Sequence, residues 1–442
     1  MCRLLKASLP FVICLILLAS VGLSLIAASY SIPDMEIWPQ ASDSTDFLII
    51  QYQEKDVEWL DWPDFYTDMV MLNVASYGEL DGKSPWVRAI ENEKVGYTQE
   101  ASYPYAIVNW LTSRAPVVKT YYTYDEATPV QRPCSYGKYW NGYLVFLRPL
   151  LTKLNMNQIF TLFRFLLIGS FAAVTLLFAG KSPLFLLFFV PVFLSLRPFS
   201  KFCLTFAIIE LLLLVFLAIA VWSKRIQQNA KAQLLFFFAM GIVSNYFTLM
   251  AFSMVIPFFC AAYLAYGVQN PPYGNHSRTK VVLFGLLSYI VGFCAMWVLK
   301  WLLLLLVDFS LIQQVLYSIT VRFSHTDYGE PLSLKDTLLM NFYGYYYRNP
   351  ALYVCCALAL LLLIVFVALA FKGRKKSPVA DGIIACVIGI GCVFGRYLAF
   401  LNHSKVHFFF MNRLYVGVPC FLLCFLLCLI KQQRQSSSLQ EN

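Results

Sequence analysis

Residues 9–28 read LPFVICLILLASVGLSLIAA, twenty positions without a charged side chain. At about 1.5 Å rise per residue, a helix of that length covers roughly 30 Å, the hydrocarbon thickness of a bilayer. Arg3 and Lys6 precede it, as they would a signal peptide, and Ala27-Ala28-Ser29 offers a small-residue cleavage site. The apolar core is longer than a signal peptide needs. The stretch therefore reads as a retained first transmembrane helix, residues 1–30, with its N-terminus in the cytoplasm.

Further apolar runs predict spans near 157–180, 183–196, 202–222, 233–247, 249–267, 281–307, 351–371, 379–400 and 408–430. Composition agrees: 59% of the 442 residues are hydrophobic and only 13% charged, about half the charge of a soluble domain, with a mean hydropathy of +0.64. The expected fold is an all-α integral membrane protein of about ten transmembrane helices, within a range of nine to eleven. The range comes from 233–267, too long for one span and carrying a polar Ser244-Asn245-Tyr246 turn signal, and from the short 183–196, broken by Pro183 and Pro191.

The net charge of +10 points away from nucleic acid once its placement is read. Residues 31–156 hold 17 of the 24 acidic residues and 10 of the 34 basic ones. The excess of lysine and arginine lies in short stretches between apolar runs, with fourteen on expected inner segments against six on the short outer ones, as the positive-inside tendency requires. Lys372-Gly-Arg-Lys-Lys376 is the tightest inner marker. Both termini are then cytoplasmic, with a tail at 431–442 and a polytopic bundle over 157–430.

Residues 31–156 are too long and polar for a connector and are expected to form a large extracytoplasmic loop domain of mixed structure. Short amphipathic helices are expected at 64–75 and 84–91, and an interfacial helix over 139–154. Trp38, Trp59, Trp62, Trp86, Trp110 and Trp140, with Tyr121, Tyr122 and Tyr124, suit the headgroup layer. A second outer loop, 308–350, is expected to dock against the first. Of thirteen cysteines, Cys134 alone lies in this polar segment, and no CxxC or Cys/His metal pattern occurs.

Five ionisable residues fall inside the expected spans: Arg164, Glu210, Lys300, Arg396 and Arg413. A charge there costs several kcal/mol and marks a bundle interior or wet cavity. Each lies within about eight residues of an outer helix end, or roughly 12 Å, so one cavity receiving a lipid-linked phosphate is expected. Snorkelling of each cation to the surface is the plainer alternative. His403 and His407, four residues apart, could share a helix face and bind metal, though no acidic third ligand is nearby. Alternatively, His407 joins Arg396 and Arg413 on a phosphate, or these polar residues merely cap an outer loop. Asp34 and Glu36, directly after the first span, are either solvated loop acids or a general base.

This layout, a first span, a long outer loop with early acids, then many spans, resembles the GT-C superfamily of multi-span glycosyltransferases that use polyprenyl-phosphate-linked sugars. The resemblance implies a catalytic acid at Asp34 or Glu36, where the usual adjacent acidic pair is replaced by Asp-x-Glu. It leaves the cofactor unknown and a divalent metal ion open. Ser76-Tyr-Gly-Glu-Leu-Asp-Gly-Lys-Ser-Pro85, Tyr139-Trp-Asn-Gly-Tyr143 and Asn402-His-Ser404 leading to Arg413 are similar to segments of a group of bacterial multi-span membrane proteins. The expected activity is sugar transfer from a polyprenyl-phosphate donor at the extracytoplasmic face, with Asp34 or Glu36 as base and Arg396, His407, Arg413, Lys300 and Arg164 on the lipid phosphate. Two other classes remain: a transporter or flippase for a lipid-linked or polar solute, and a non-catalytic assembly or sensor protein.

Overall fold

The computed structural model describes residues 2–53, 65–77, 82–95, 133–199, 202–249, 252–268, 271–274, 277–327, 330–347, 349–372 and 379–438. Glu79 and Asp81, Trp59, Trp62, Trp110, Tyr121, Tyr122, Tyr124, Arg348 and the basic cluster beyond Lys372 lie outside them.

Helices make up almost all of the described chain. They are α1 (Cys2–Tyr30), α2 (Asp34–Gln53), α3 (Phe65–Ser76), α4 (Pro85–Glu91), α5 (Leu144–Leu151), α6 (Met156–Lys181), α7 (Leu186–Leu194, entered by a 3-10 turn Pro183–Phe185), α8 (Leu204–Trp222), α9 (Lys224–Gln228) and α10 (Ala230–Phe247). There follow α11 (Val255–Tyr266), α12 (Ser277–Val307), α13 (Ile312–Phe323), α14 (Leu334–Tyr346), α15 (Pro350–Lys372), α16 (Val379–Ala399), α17 (Leu401–Val406), α18 (Phe408–Met411) and α19 (Gly417–Ser438). The strands are two short antiparallel pairs, Glu93–Val95 with Pro133–Ser135 and Thr326–Asp327 with Glu330–Pro331.

Local sequence explains the helix ends. Ser84 accepts from Val87 N and Pro85 takes the first helical position of α4, which Asn92 closes in the left-handed region at φ 46°. Asn155 and Gln158 form a capping box on α6. The N-terminus of α8 is capped from elsewhere. Asp68 of α3 accepts from Leu204 N at 2.8 Å, Thr205 N at 3.0 Å and Thr205 Oγ1 at 2.8 Å. Burial pushes the Asp68 carboxyl up to about 6, while those donors pull it the other way.

Among the described residues seven helices are long and apolar enough to cross a membrane: Ser8–Tyr30, Met156–Lys181, Leu204–Trp222, Ser277–Val307, Pro350–Val367, Ala380–Ala399 and Asn412–Gln432. Pro183–Leu194 and Val255–Tyr266 are shorter apolar helices. The fold is that of an all-α membrane protein. Two expectations change. The polar triplet Ser244–Tyr246 stays inside α10, because Tyr246 donates to Gly22 O and the chain leaves the helix only at Thr248. The helix expected to be amphipathic near 64–75 is instead buried all round from Asp68 to Ser76. It is packed among α2, α5 and α8.

Polar contacts gather the helix ends into two levels. At one level Ser182 Oγ lies 3.2 Å from Tyr263 OH, Tyr266 OH donates to Gly382 O, and Asp381 accepts from Arg278 N and Thr279 N at the start of α12. At the other, Ser195 Oγ meets Tyr345 OH at 2.6 Å, Asn349 Nδ2 donates to Ser195 O, and Arg413 Nε donates to Leu196 O. The short α7 with its 3-10 turn therefore runs from one level to the other. One continuous apolar core joins Ala19 of α1 to Ile430 of α19.

The α10–α12 pair is the most intimate crossing, and glycine makes it so. A Cβ on Gly292 would collide with the Phe238 carbonyl, and one on Gly241 with the Tyr289 carbonyl. Small residues let backbones approach this way where water drives nothing. Both obstacles are backbone, so Gly292→Ala is expected to cost about 1–3 kcal/mol, as overpacking does. Thermal unfolding of purified protein in detergent checks this; an unchanged Tm contradicts the close approach.

Candidate functional site

The most tightly built polar centre surrounds Asp34, at the start of α2. Arg148 of α5 is fully buried. It donates Nε to Ser29 O at 2.9 Å, Nη1 to Ala75 O, and Nη2 to Ile32 O at 3.0 Å and to Asp34 Oδ1 at 2.8 Å. Arg88 of α4 donates Nη2 to both Asp34 oxygens, at 3.0 and 3.1 Å, and to Tyr77 O. Both guanidiniums stand 4.7 Å from the Tyr30 ring centroid, and Tyr30 OH donates to Asn92 Oδ1 at 3.3 Å. One carboxylate held by two arginines is a clamp, with its lone pairs engaged by charge-assisted bonds. Glu36, two residues on, is exposed.

Lys300 has a structural position of the same kind. Its fully buried ammonium donates to Ala89 O at 3.0 Å and Ile90 O at 2.7 Å, the last carbonyls of α4, beneath the Trp140 ring at 5.3 Å. A cation at a helix C-terminus satisfies acceptors that have no partner within the helix. Lys83 joins Glu91 and Glu93 near the same helix end, at 2.7 and 2.8 Å. Burial acts against the charge of Lys83, but the two carboxylates outweigh it and raise its pKa.

Arg413 is buried, with its guanidinium 3.6 Å from the Phe206 ring centroid and 5.2 Å from that of Phe252. Phe206 and the buried Glu210 lie one turn apart on α8. Arg164 is exposed on α6, over Phe202 at 4.9 Å. His403 is buried and His407 half-buried, with ring centroids 4.5 Å apart, and Phe410 packs on both. Asn402 ties this turn to the 324–326 segment through Ser324 O and Thr326 O. Among the described residues no group of three or more His, Cys, Asp and Glu side chains is placed to hold a metal ion.

Arg396 differs from these. It lines a groove of about 340 Å³ between α12, α16 and the start of α11, whose walls include Tyr289, Phe293, Trp297, Cys392 and Phe400. The guanidinium lies on the Phe400 ring at 3.8 Å. Ile290, Phe394 and Leu398 nearby are exposed, so the groove opens on an apolar outer surface of the bundle. Phe252 packs on Arg413 while its neighbour Ser253 lines the Arg396 groove. The five intramembrane residues thus have separate surroundings: Glu210 with Arg413 in the interior, Lys300 against α4, Arg396 in the groove, and Arg164 on the surface.

Sequence reading missed Arg88, Arg148 and Tyr30. Arg148 carried the signal used for the other cations, a single charge inside the apolar run LVFLRPLL at 144–151. Comparison with protein families, with curated proteins and with solved structures finds no match.

Removing the Arg148 head group takes one donor from each of three carbonyls and from the Asp34 carboxylate. Arg148→Met is therefore expected to cost about 3–5 kcal/mol, as broken buried pairs do. The readout is a lowered Tm or loss of the monodisperse peak in detergent. An Arg148→Met protein as stable as wild type would contradict the clamp.

Proposed function

We propose that this protein is a ten-span membrane protein of the cell membrane with cytoplasmic termini, binding a lipid-linked phosphate near its extracytoplasmic face and transferring the attached sugar. The observation that carries the reading is Arg396 in a groove whose other walls are apolar and which opens on the apolar surface of the bundle. A guanidinium beside hydrocarbon favours an anion that arrives with its own tail, as a polyprenyl phosphate does. From Tyr289 to Trp297 the α12 wall runs about 12 Å, enough for the head-proximal part of such a chain. The spans counted are α1, α6, α7, α8, α10, α11, α12, α15, α16 and α19, with residues 31–156 outside.

In this reading the other cations hold the fold that presents Arg396, and His407 stands beyond the groove lining. The base is Glu36, since Asp34 is occupied by two arginines. Glu36 would take the acceptor hydroxyl proton as that oxygen attacks the sugar carbon, and the lipid phosphate would leave with its charge held by Arg396. One observation favours the non-catalytic alternative: where the described part of the 31–156 segment meets α12 the packing is filled, with Trp140, Tyr143, Arg148 and Lys300 all fully buried.

Two measurements separate the readings. A charge-assisted contact is worth about 1.5–3 kcal/mol, so Arg396→Ala is expected to weaken polyprenyl-phosphate binding by about tenfold or more, while Arg164→Ala leaves it unchanged. Equal affinities for Arg396→Ala and wild type would remove the lipid site. Glu36→Gln is expected to abolish sugar transfer with Tm and lipid affinity intact; full activity in that variant would remove the catalytic assignment.

A further inference from the structure

The chain leaves α12 at Val307 and enters α15 at Pro350, so residues 308–349 connect the ends of two helices long enough to cross a membrane. The first helix of that connection, α13, has 12 residues, about 18 Å. It is apolar on two faces. One face packs inward, where Val315 is buried against Ile90 and Leu304, with Ile319 beside them.

The other face carries Leu316, 55% exposed, and Tyr317, 71% exposed, with Phe309 at 70% before it and Phe323 at 48% at its end. Leu316 and Phe323 lie two turns apart on this side, and the exposed Gln313 and Thr320 stand between them and Tyr317 around the helix. The last turns of α12 before it also carry exposed apolar side chains, Leu302 and Leu306. Exposed apolar residues thus lead along the chain from the end of α12 through Phe309 to the outward side of α13. Tyr and Phe on such a face suit the headgroup boundary, where one end of a ring is apolar and the other wet.

We propose that α13 lies in the headgroup layer of the bilayer, with Leu316, Tyr317 and Phe323 seated among the lipids. Through Phe323 it then holds one wall of the Arg396 groove. The Phe323 and Phe400 ring centroids are 4.5 Å apart, and Phe400 carries Arg396. The mouth of the groove accordingly stands at the depth fixed by the docked helix. The docking rests on exposure and connectivity alone and holds whether or not a lipid phosphate binds.

The test places a bimane fluorophore on Leu316→Cys, and separately on Tyr317→Cys, in full-length protein reconstituted in phosphatidylcholine vesicles. Wild-type protein treated in parallel accounts for labelling of native thiols. Lipids brominated high on the acyl chain are expected to cause about a twofold loss of emission at both positions, as for a face seated ~5–10 Å into the boundary. Iodide in the water is expected to cause far less. Quenching by iodide alone would place α13 in solvent and overturn the proposal. Quenching by neither agent, as a second copy of the chain covering the face would give, would overturn it as well.

Discussion

A buried guanidinium must find acceptors, and Arg148 finds four oxygens at the point where the chain's first elements meet. It joins Ser29 O at the end of α1, Ile32 O and Asp34 in the α1–α2 turn, and Ala75 O near the end of α3. Arg88 closes the same carboxylate from α4. This clamp fixes where α2 to α5 sit against the first long helix. Lys300 then fastens α4 to α12, and Asp68 caps α8 from α3. The segment between the first two long helices is bolted to the bundle by charges placed on backbone ends.

The same economy governs the interior of the bundle. Ionisable groups in apolar surroundings persist where partners are supplied. Lys300 has carbonyls; Arg413 has a carbonyl and aromatic faces. Arg396 lines an open groove, and the functional reading narrows to it for that reason. A carboxylate as enclosed as Asp34 holds structure, and the free acid two residues on is the better chemical candidate.

Much of the architecture was legible in the sequence because apolar run length reports helix length directly. The stretches 157–180, 202–222 and 379–400 correspond to Met156–Lys181, Leu204–Trp222 and Val379–Ala399. The short helix expected at 84–91 corresponds to α4, Pro85–Glu91. Site geometry was less legible. Whether Lys300 faces α4 or a shared cavity depends on helix rotation, to which depth along a span is blind. The pairing of Asp34 with Arg148 joins residues 114 apart, and no local pattern encodes it. The break expected between 233–247 and 249–267 falls where α10 ends, at Thr248, while the turn-forming look of Ser244 to Tyr246 misleads, since all three stay in helix.

The central claim is that Arg396 presents its charge to a lipid in the α12–α16 groove, while Arg148 and Lys300 are committed to the protein's own oxygens. The most direct measurement is a cryo-electron microscopy map of the protein in nanodiscs of native lipid, at a resolution that shows side chains. The expected result is tail-shaped density in the α12–α16 groove with its head at Arg396, and Arg148 and Lys300 closed by protein carbonyls. Lipid head density at Arg148, Lys300 or Arg413, with protein side chains filling the groove, would contradict the account.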